Sequence, residues 1–294
     1  MKEISKISII ISFLALWITS RLNSDDQTLI GFIFIFSFGI LHGANDLVLI
    51  KNLKGNKNRS FLTFLGIYVL VVFISAILFL TIPLIVLIIF VVISAYHFGE
   101  QHFQDLENYK WTWGKPVFYL VYGSFILLLL FYFHNIEVQK IIFSITNYEI
   151  SLVTNPAPLI ISGVALLLLM IYNYFYIPTF KKIMVAEIIY LIVFALIFKL
   201  GSLIWGFAIY FILWHSIPSL HDQIKFLYGK YSFENFKLYF KSAFVYWIVS
   251  LIGIGVFYYF LKDEKIFDAI FFSFIAAITF PHAFVILKMF EKKA

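Results

Sequence analysis

The sequence predicts an all-α protein that crosses a membrane about ten times, and three observations carry that prediction. The 294 residues are 62% hydrophobic and only 13% charged, whereas soluble chains run at about half apolar and about a quarter charged. Uninterrupted apolar runs, such as residues 28–50 and 157–177, exceed the roughly 20 residues a helix needs to cross a hydrocarbon core of about 30 Å. Lys and Arg gather in alternate breaks between those runs, as the positive-inside rule requires.

Hydropathy places the spans in order. The first apolar stretch follows Lys2 and Lys6 like a signal peptide, but it ends in ALWITSR without a small-residue cleavage site and reads as a retained first helix, 4–20. Spans 28–50, 60–80, 82–98, 116–133 and 157–177 follow. Spans 183–200 and 201–217 are divided only by Leu200-Gly201-Ser202, and spans 242–261 and 266–289 complete the set. Pro83, Pro116 and Pro158 stand near helix starts, where a missing N–H costs little. Pro218 and Pro281 stand beside histidines, and a proline inside a span bends its helix and frees a carbonyl. No repeat or low-complexity linker divides the chain, so residues 1–294 read as one integral membrane domain.

Orientation follows from the cations. With the amino terminus inside, seventeen Lys and Arg fall on the inner side and five on the outer. The reading is a multi-pass protein of the cell (inner) membrane with both termini cytoplasmic. The net charge of +6 is then explained by the inner loops, and no nucleic-acid partner is implied. With no Cys there are no disulfides, thiolate ligands or covalent haem attachment. Aromatics reach 21%, with 37 Phe. Two readings compete, an AT-rich genome that inflates Phe, Ile, Tyr and Lys or a pocket for a flat polyene, and the first carries more weight because many of these rings must face lipid.

The chemistry lies in seven histidines. His42 in LHGAND, His97 and His102 in YHFGEQH, His215 and His221 in WHSIPSLH, and His282 in TFPHAF all fall toward the inner side. Only His134 falls on the outer side. Intramembrane imidazoles are costly unless partnered, so agreement of depth across four separate spans points to one shared site. An all-imidazole set suits a redox-capable first-row metal rather than magnesium or calcium. Ligating rings normally hold a carboxylate or carbonyl on their other nitrogen, and Asp46, Glu100, Gln101 and Glu187 are the candidates. His102 and His221 sit in polar loops, where a solvated histidine is the ordinary finding. Gly43 and Gly99 beside histidines suggest close backbone approach. Trp205, Tyr210, Phe211 and Trp214 are candidate walls for an apolar ligand.

HGANDL at 42–47, SAYHFGE at 94–100, WHSIPS at 214–219 and TFPH at 279–282 resemble, in order and over nearly the whole chain, the Brp/Blh family of bacterial and archaeal membrane proteins. The resemblance implies a β-carotene 15,15'-dioxygenase that splits the central double bond with O₂ to give two retinals. It further implies a ferrous iron held by histidines, here His42, His97 and His215, and a functional link to a retinal-binding rhodopsin. The family commonly carries a second histidine four residues after the one in the WHS motif, and here that position is Ser219. The fourth ligand is then assigned to His221 for its proximity, with His282 and water as alternatives.

Rival readings are weaker. A di-iron hydroxylase needs HxxxH and HxxHH boxes and a metalloprotease needs HExxH, and none occurs here. A b-type cytochrome leaves most motifs unused. A non-catalytic carotenoid-binding or transport membrane protein remains the alternative, kept open by Ser219.

Overall fold

The computed structural model describes residues 2–53, 61–106, 109, 113–150, 154–261 and 267–293. Lys54, Lys57, Arg59, Lys110, Lys262 and Lys265, which enter the orientation count, lie outside them. Among the described residues, each expected span is mostly helical and no strand occurs. Eight helices among those residues are long and apolar enough to cross a membrane: 24–53, 62–81, 83–103, 114–133, 157–176, 203–228, 233–256 and 274–292. The protein is an all-α, multi-pass membrane protein.

Two of the ten expected spans are shorter. Met184–Leu200 has 17 residues, about 26 Å at 1.5 Å per residue, against a core of roughly 30 Å. The apolar part of the first helix, Ile4–Thr19, is shorter still. The break at Gly201 is real: Ser202 caps the next helix, accepting the Trp205 N–H at 3.4 Å, while its own N–H donates to Gln27 Oε1 at 2.8 Å. A helix at Asn135–Thr146 follows the fifth span, with Asn135, Glu137, Gln139 and Lys140 in its first turns. Its polar start hides it from a hydropathy profile.

Two compact units divide the chain, one comprising 1–34, 94–140 and 149–218, the other 35–93, 141–148 and 219–294. In the first unit the amino-terminal helix is fastened by a polar stripe. Ser8, Ser12, Ala15 and Thr19 are buried and lie on one face at spacings of four, three and four. Ser8 donates to the Leu213 carbonyl at 2.8 Å, Ser12 Oγ accepts from the Trp214 indole at 3.0 Å, and Thr19 Oγ1 accepts from the Trp205 indole at 2.7 Å. Such bonds hold helices together where lipid offers no water to compete. The indoles of Trp205 and Trp214 therefore serve helix docking.

The same unit contains a very close helix crossing. A Cβ on Gly123 would stand 1.7 Å from the Ala95 carbonyl oxygen, and one on Gly99 would stand 2.0 Å from that of Tyr119. Small residues permit such backbone approach in membrane helices. This crossing fixes the segment that carries His97. In the second unit, Gly229 with φ +82° ends the Ile217–Tyr228 helix and turns the chain into Phe233–Leu261. That long helix packs on the HGAND segment through Leu41, Tyr239 and Ala243.

Candidate metal centre

Each unit holds one pair of buried histidines. In the second unit the chain passes through a π-helical turn at Ile35–Gly39, resumes as a short helix, Ile40–Gly43, and breaks before Asp46–Leu53. A π turn inserts an extra residue and re-aims every side chain after it, which is why such turns recur at functional sites. The Ser37 carbonyl within the turn accepts from the Trp247 indole at 2.7 Å. His42 emerges buried, its ring 4.7 Å from that of His282 and nearly perpendicular to it.

The HGAND motif is then accounted for residue by residue. The His42 carbonyl accepts from Gln223 Nε2 at 2.8 Å and from the Tyr239 hydroxyl at 3.2 Å. A Cβ on Gly43 would meet the His282 ring at 3.5 Å. Asn45 donates to the Tyr239 carbonyl at 3.0 Å and accepts from Ser242 at 2.9 Å. Asp46 does not serve His42, because the helix breaks between them. It takes His282 Nδ1 at 2.9 and 3.1 Å on its two oxygens and the Tyr68 hydroxyl at 3.0 Å. A carboxylate beside Nδ1 favours the tautomer protonated there, which is the arrangement usual for a histidine that ligates a metal through Nε2.

In the first unit His215 lies within a second π-helical turn, Phe211–Ser216. The Ile217 N–H donates to the Ile212 carbonyl, five residues back. In that register Pro218, with no N–H, leaves the Leu213 carbonyl free, and this is the carbonyl the Ser8 hydroxyl satisfies. His215 is buried 4.8 Å from His97 in an edge-to-face arrangement, with Phe98 at 4.8 Å and Phe211 stacked at 5.4 Å. The Glu100 carboxylate stays 4.0 Å from His97 Nδ1. Of the expected wall residues, Phe211 touches His215, and Tyr210 packs among Phe98, Phe194 and Phe198.

The remaining candidates sit in other surroundings. The His221 ring lies against Tyr231 at 4.8 Å, with its side chain 18% exposed and Nδ1 4.0 Å from Asp222. Within that unit it is His282, not His221, that stands beside His42. Ser219 is fully buried and accepts from Gln223 at 3.1 Å, so it belongs to the scaffold behind the His42 carbonyl. Glu187 pairs with His102 at 2.7 Å, and that ring stacks on Tyr122. His134 bonds the Phe198 carbonyl at 2.7 Å near a helix end. Tyr68, Gln223 and Tyr239 carry roles no motif announced, since a lone tyrosine or amide in an apolar run has no diagnostic spacing.

The sequence model of the family described as beta-carotene 15,15'-dioxygenase matches residues 33–290. The chain belongs to that family. The match takes in all four histidine motifs and begins after the amino-terminal helix. No curated protein and no solved structure matches the chain.

Proposed function

We propose that this member of the beta-carotene 15,15'-dioxygenase family cleaves the central double bond of β-carotene with O₂ to give two retinals, at a ferrous iron held by His42, His97, His215 and His282. The family match over residues 33–290 carries the reading. The donor chemistry supports it: each unit brings two buried histidines together, His97 with His215 and His42 with His282, and neutral imidazoles suit iron. His282 replaces His221 as fourth ligand because Asp46 and Tyr68 orient its ring as metal-bound histidines are usually oriented. The last helix would thus supply what Ser219 lacks.

Bound iron would supply the site's O₂ chemistry. The protein's part is positional. Asp46 holds the proton on His282 Nδ1, Gln223 and Tyr239 fix the backbone at His42, and the two π turns set the direction of His42 and His215. Burial of all four rings keeps water from the bond to be cleaved. One membrane domain, 1–294, would serve this reaction in the cell membrane with both termini cytoplasmic, as the cation asymmetry indicates, and retinal would pass to a retinal-binding rhodopsin.

Expression in a β-carotene-producing bacterium tests the reading. In air, carotene colour should fade as retinal accumulates, and unchanged carotene in an iron-replete, well-expressing strain would refute the activity. His42→Ala, His97→Ala, His215→Ala and His282→Ala should each abolish cleavage and lower bound iron, while His221→Ala should keep both. Asp46→Asn should weaken iron retention roughly 10- to 100-fold, the usual effect of losing a ligand's hydrogen-bond partner.

A further inference from the structure

The second unit contains a cleft of about 660 Å³ whose walls come from Phe61–Thr81, the carboxy-terminal helix and the end of Asp46–Leu53. That volume lies within the range of small-molecule sites, roughly 300–1,000 Å³. On one wall Phe64, Ile67, Tyr68 and Val71 recur at helical spacing, so they form a single face. On the other wall Pro281, Phe284 and Val285 continue toward Lys288. From Pro281 to Lys288 the groove follows about 10 Å of helix axis at 1.5 Å per residue.

Three features tie this groove to the proposed centre. Pro281 lines it and immediately precedes His282. Tyr68 lines it and donates to the carboxylate that holds His282. Ile67 is 48% and Phe284 60% exposed, so the groove opens sideways on surface that a bilayer would cover. Its charged groups, Lys288, Glu291 and Lys292, all belong to the last turns of the helix, where Lys288 pairs with Glu291 at 2.6 Å and Lys292 donates to the Asn52 and Leu53 carbonyls. The remaining walls are apolar and rich in aromatic rings, which suit a flat conjugated chain better than a polar ligand.

Resting on the function proposed above, we infer that this groove holds one arm of the polyene substrate, entering from the lipid phase. The bond to be cleaved lies at the His282 end and the terminal ring points toward Lys288. Tyr68 then reports occupancy directly to the group that orients His282.

The test uses the full chain in nanodiscs of phosphatidylcholine, loaded with β-carotene under nitrogen so that nothing is cleaved. Carotene retained per chain is read by absorbance. Ile67→Trp and Val71→Trp should lower retention at least fivefold and, in air, raise KM with iron content unchanged. Ile161→Trp, on an exposed position of Ala157–Tyr176, should retain carotene as the unsubstituted chain does. Because the chain has no cysteine, Ile67→Cys offers a milder probe, and bound carotene should slow its N-ethylmaleimide labelling severalfold without protecting Ile161→Cys. Unaltered retention and KM in both tryptophan variants, or Ile67→Cys labelling indifferent to carotene, overturns the groove assignment while leaving the enzyme reading intact. Native mass spectra in which the tryptophan variants lose only a phospholipid would assign the groove to a lipid acyl chain instead. If the unsubstituted chain neither retains nor cleaves carotene, the functional reading itself fails.

Discussion

Replacing Gly123 by alanine should cripple the proposed activity from outside the proposed centre. The new Cβ would lie 1.7 Å from the Ala95 carbonyl oxygen, and real Cβ contacts essentially never fall under 3.0 Å. The partners are both helix backbone, so no side chain can swing away. The two helices must part by at least about 1.3 Å at this point. Overpacking of this kind typically destabilises by about 1–3 kcal/mol. Ala95 lies two residues before His97 on the same helix, so the displacement passes almost undiminished to a proposed ligand. A shift of about 1 Å in a reacting geometry can lower a rate on the order of 100-fold. Retinal formation per folded chain should therefore fall by that order, and the thermal midpoint in detergent should drop as well. Gly66→Ala is the control, since nothing lies within 4 Å of its added Cβ; it should match the unsubstituted chain or gain slightly from better helix propensity. A Gly123→Ala chain with an unchanged midpoint and retinal yield within twofold of normal would show that the crossing does not position His97.

Two further predictions concern parts outside the centre. His102→Ala strands the buried Glu187 carboxylate, so it should destabilise the chain by roughly 3–5 kcal/mol, measured by thermal denaturation with fluorescence-detected chromatography. The double variant His102→Ala/Glu187→Leu should recover most of that loss, and a double variant no more stable than the single would discount the pair. Ser8→Ala removes the donor to the Leu213 carbonyl beside the π turn; interhelical hydrogen bonds in membranes average about 0.6 kcal/mol and reach about 1.7 kcal/mol. The midpoint should fall accordingly and return with Ser8→Thr, whereas an unmoved midpoint would mean that another group satisfies this carbonyl.

Hydropathy located the helices because hydrocarbon demands apolar side chains over a fixed length, a requirement each span meets on its own. It missed the helix Asn135–Thr146, whose polar start hides it, and the two shortest of the expected spans are Ile4–Thr19 and Met184–Leu200. The histidine motifs were legible for a similar reason: imidazoles are so costly in a membrane that their presence signals purpose. Their partners were not legible. Asp46, four residues from His42, looked like its companion by helical arithmetic, but the chain breaks between them and the carboxylate turns to His282. The π turns at Ile35–Gly39 and Phe211–Ser216 likewise leave no mark in composition, since an extra residue per turn is set by what the surrounding helices demand. Ser219 appeared as a missing ligand and proved to be a buried brace for Gln223, which supports the His42 carbonyl.

The order of residues fixed that this chain is an all-α, multi-pass membrane protein, because transfer free energies are local properties of side chains. Tertiary structure decided which ring faces which, since hydrogen-bond partners separated by as many as 236 residues are chosen by helix packing, and no spacing along the chain encodes that choice.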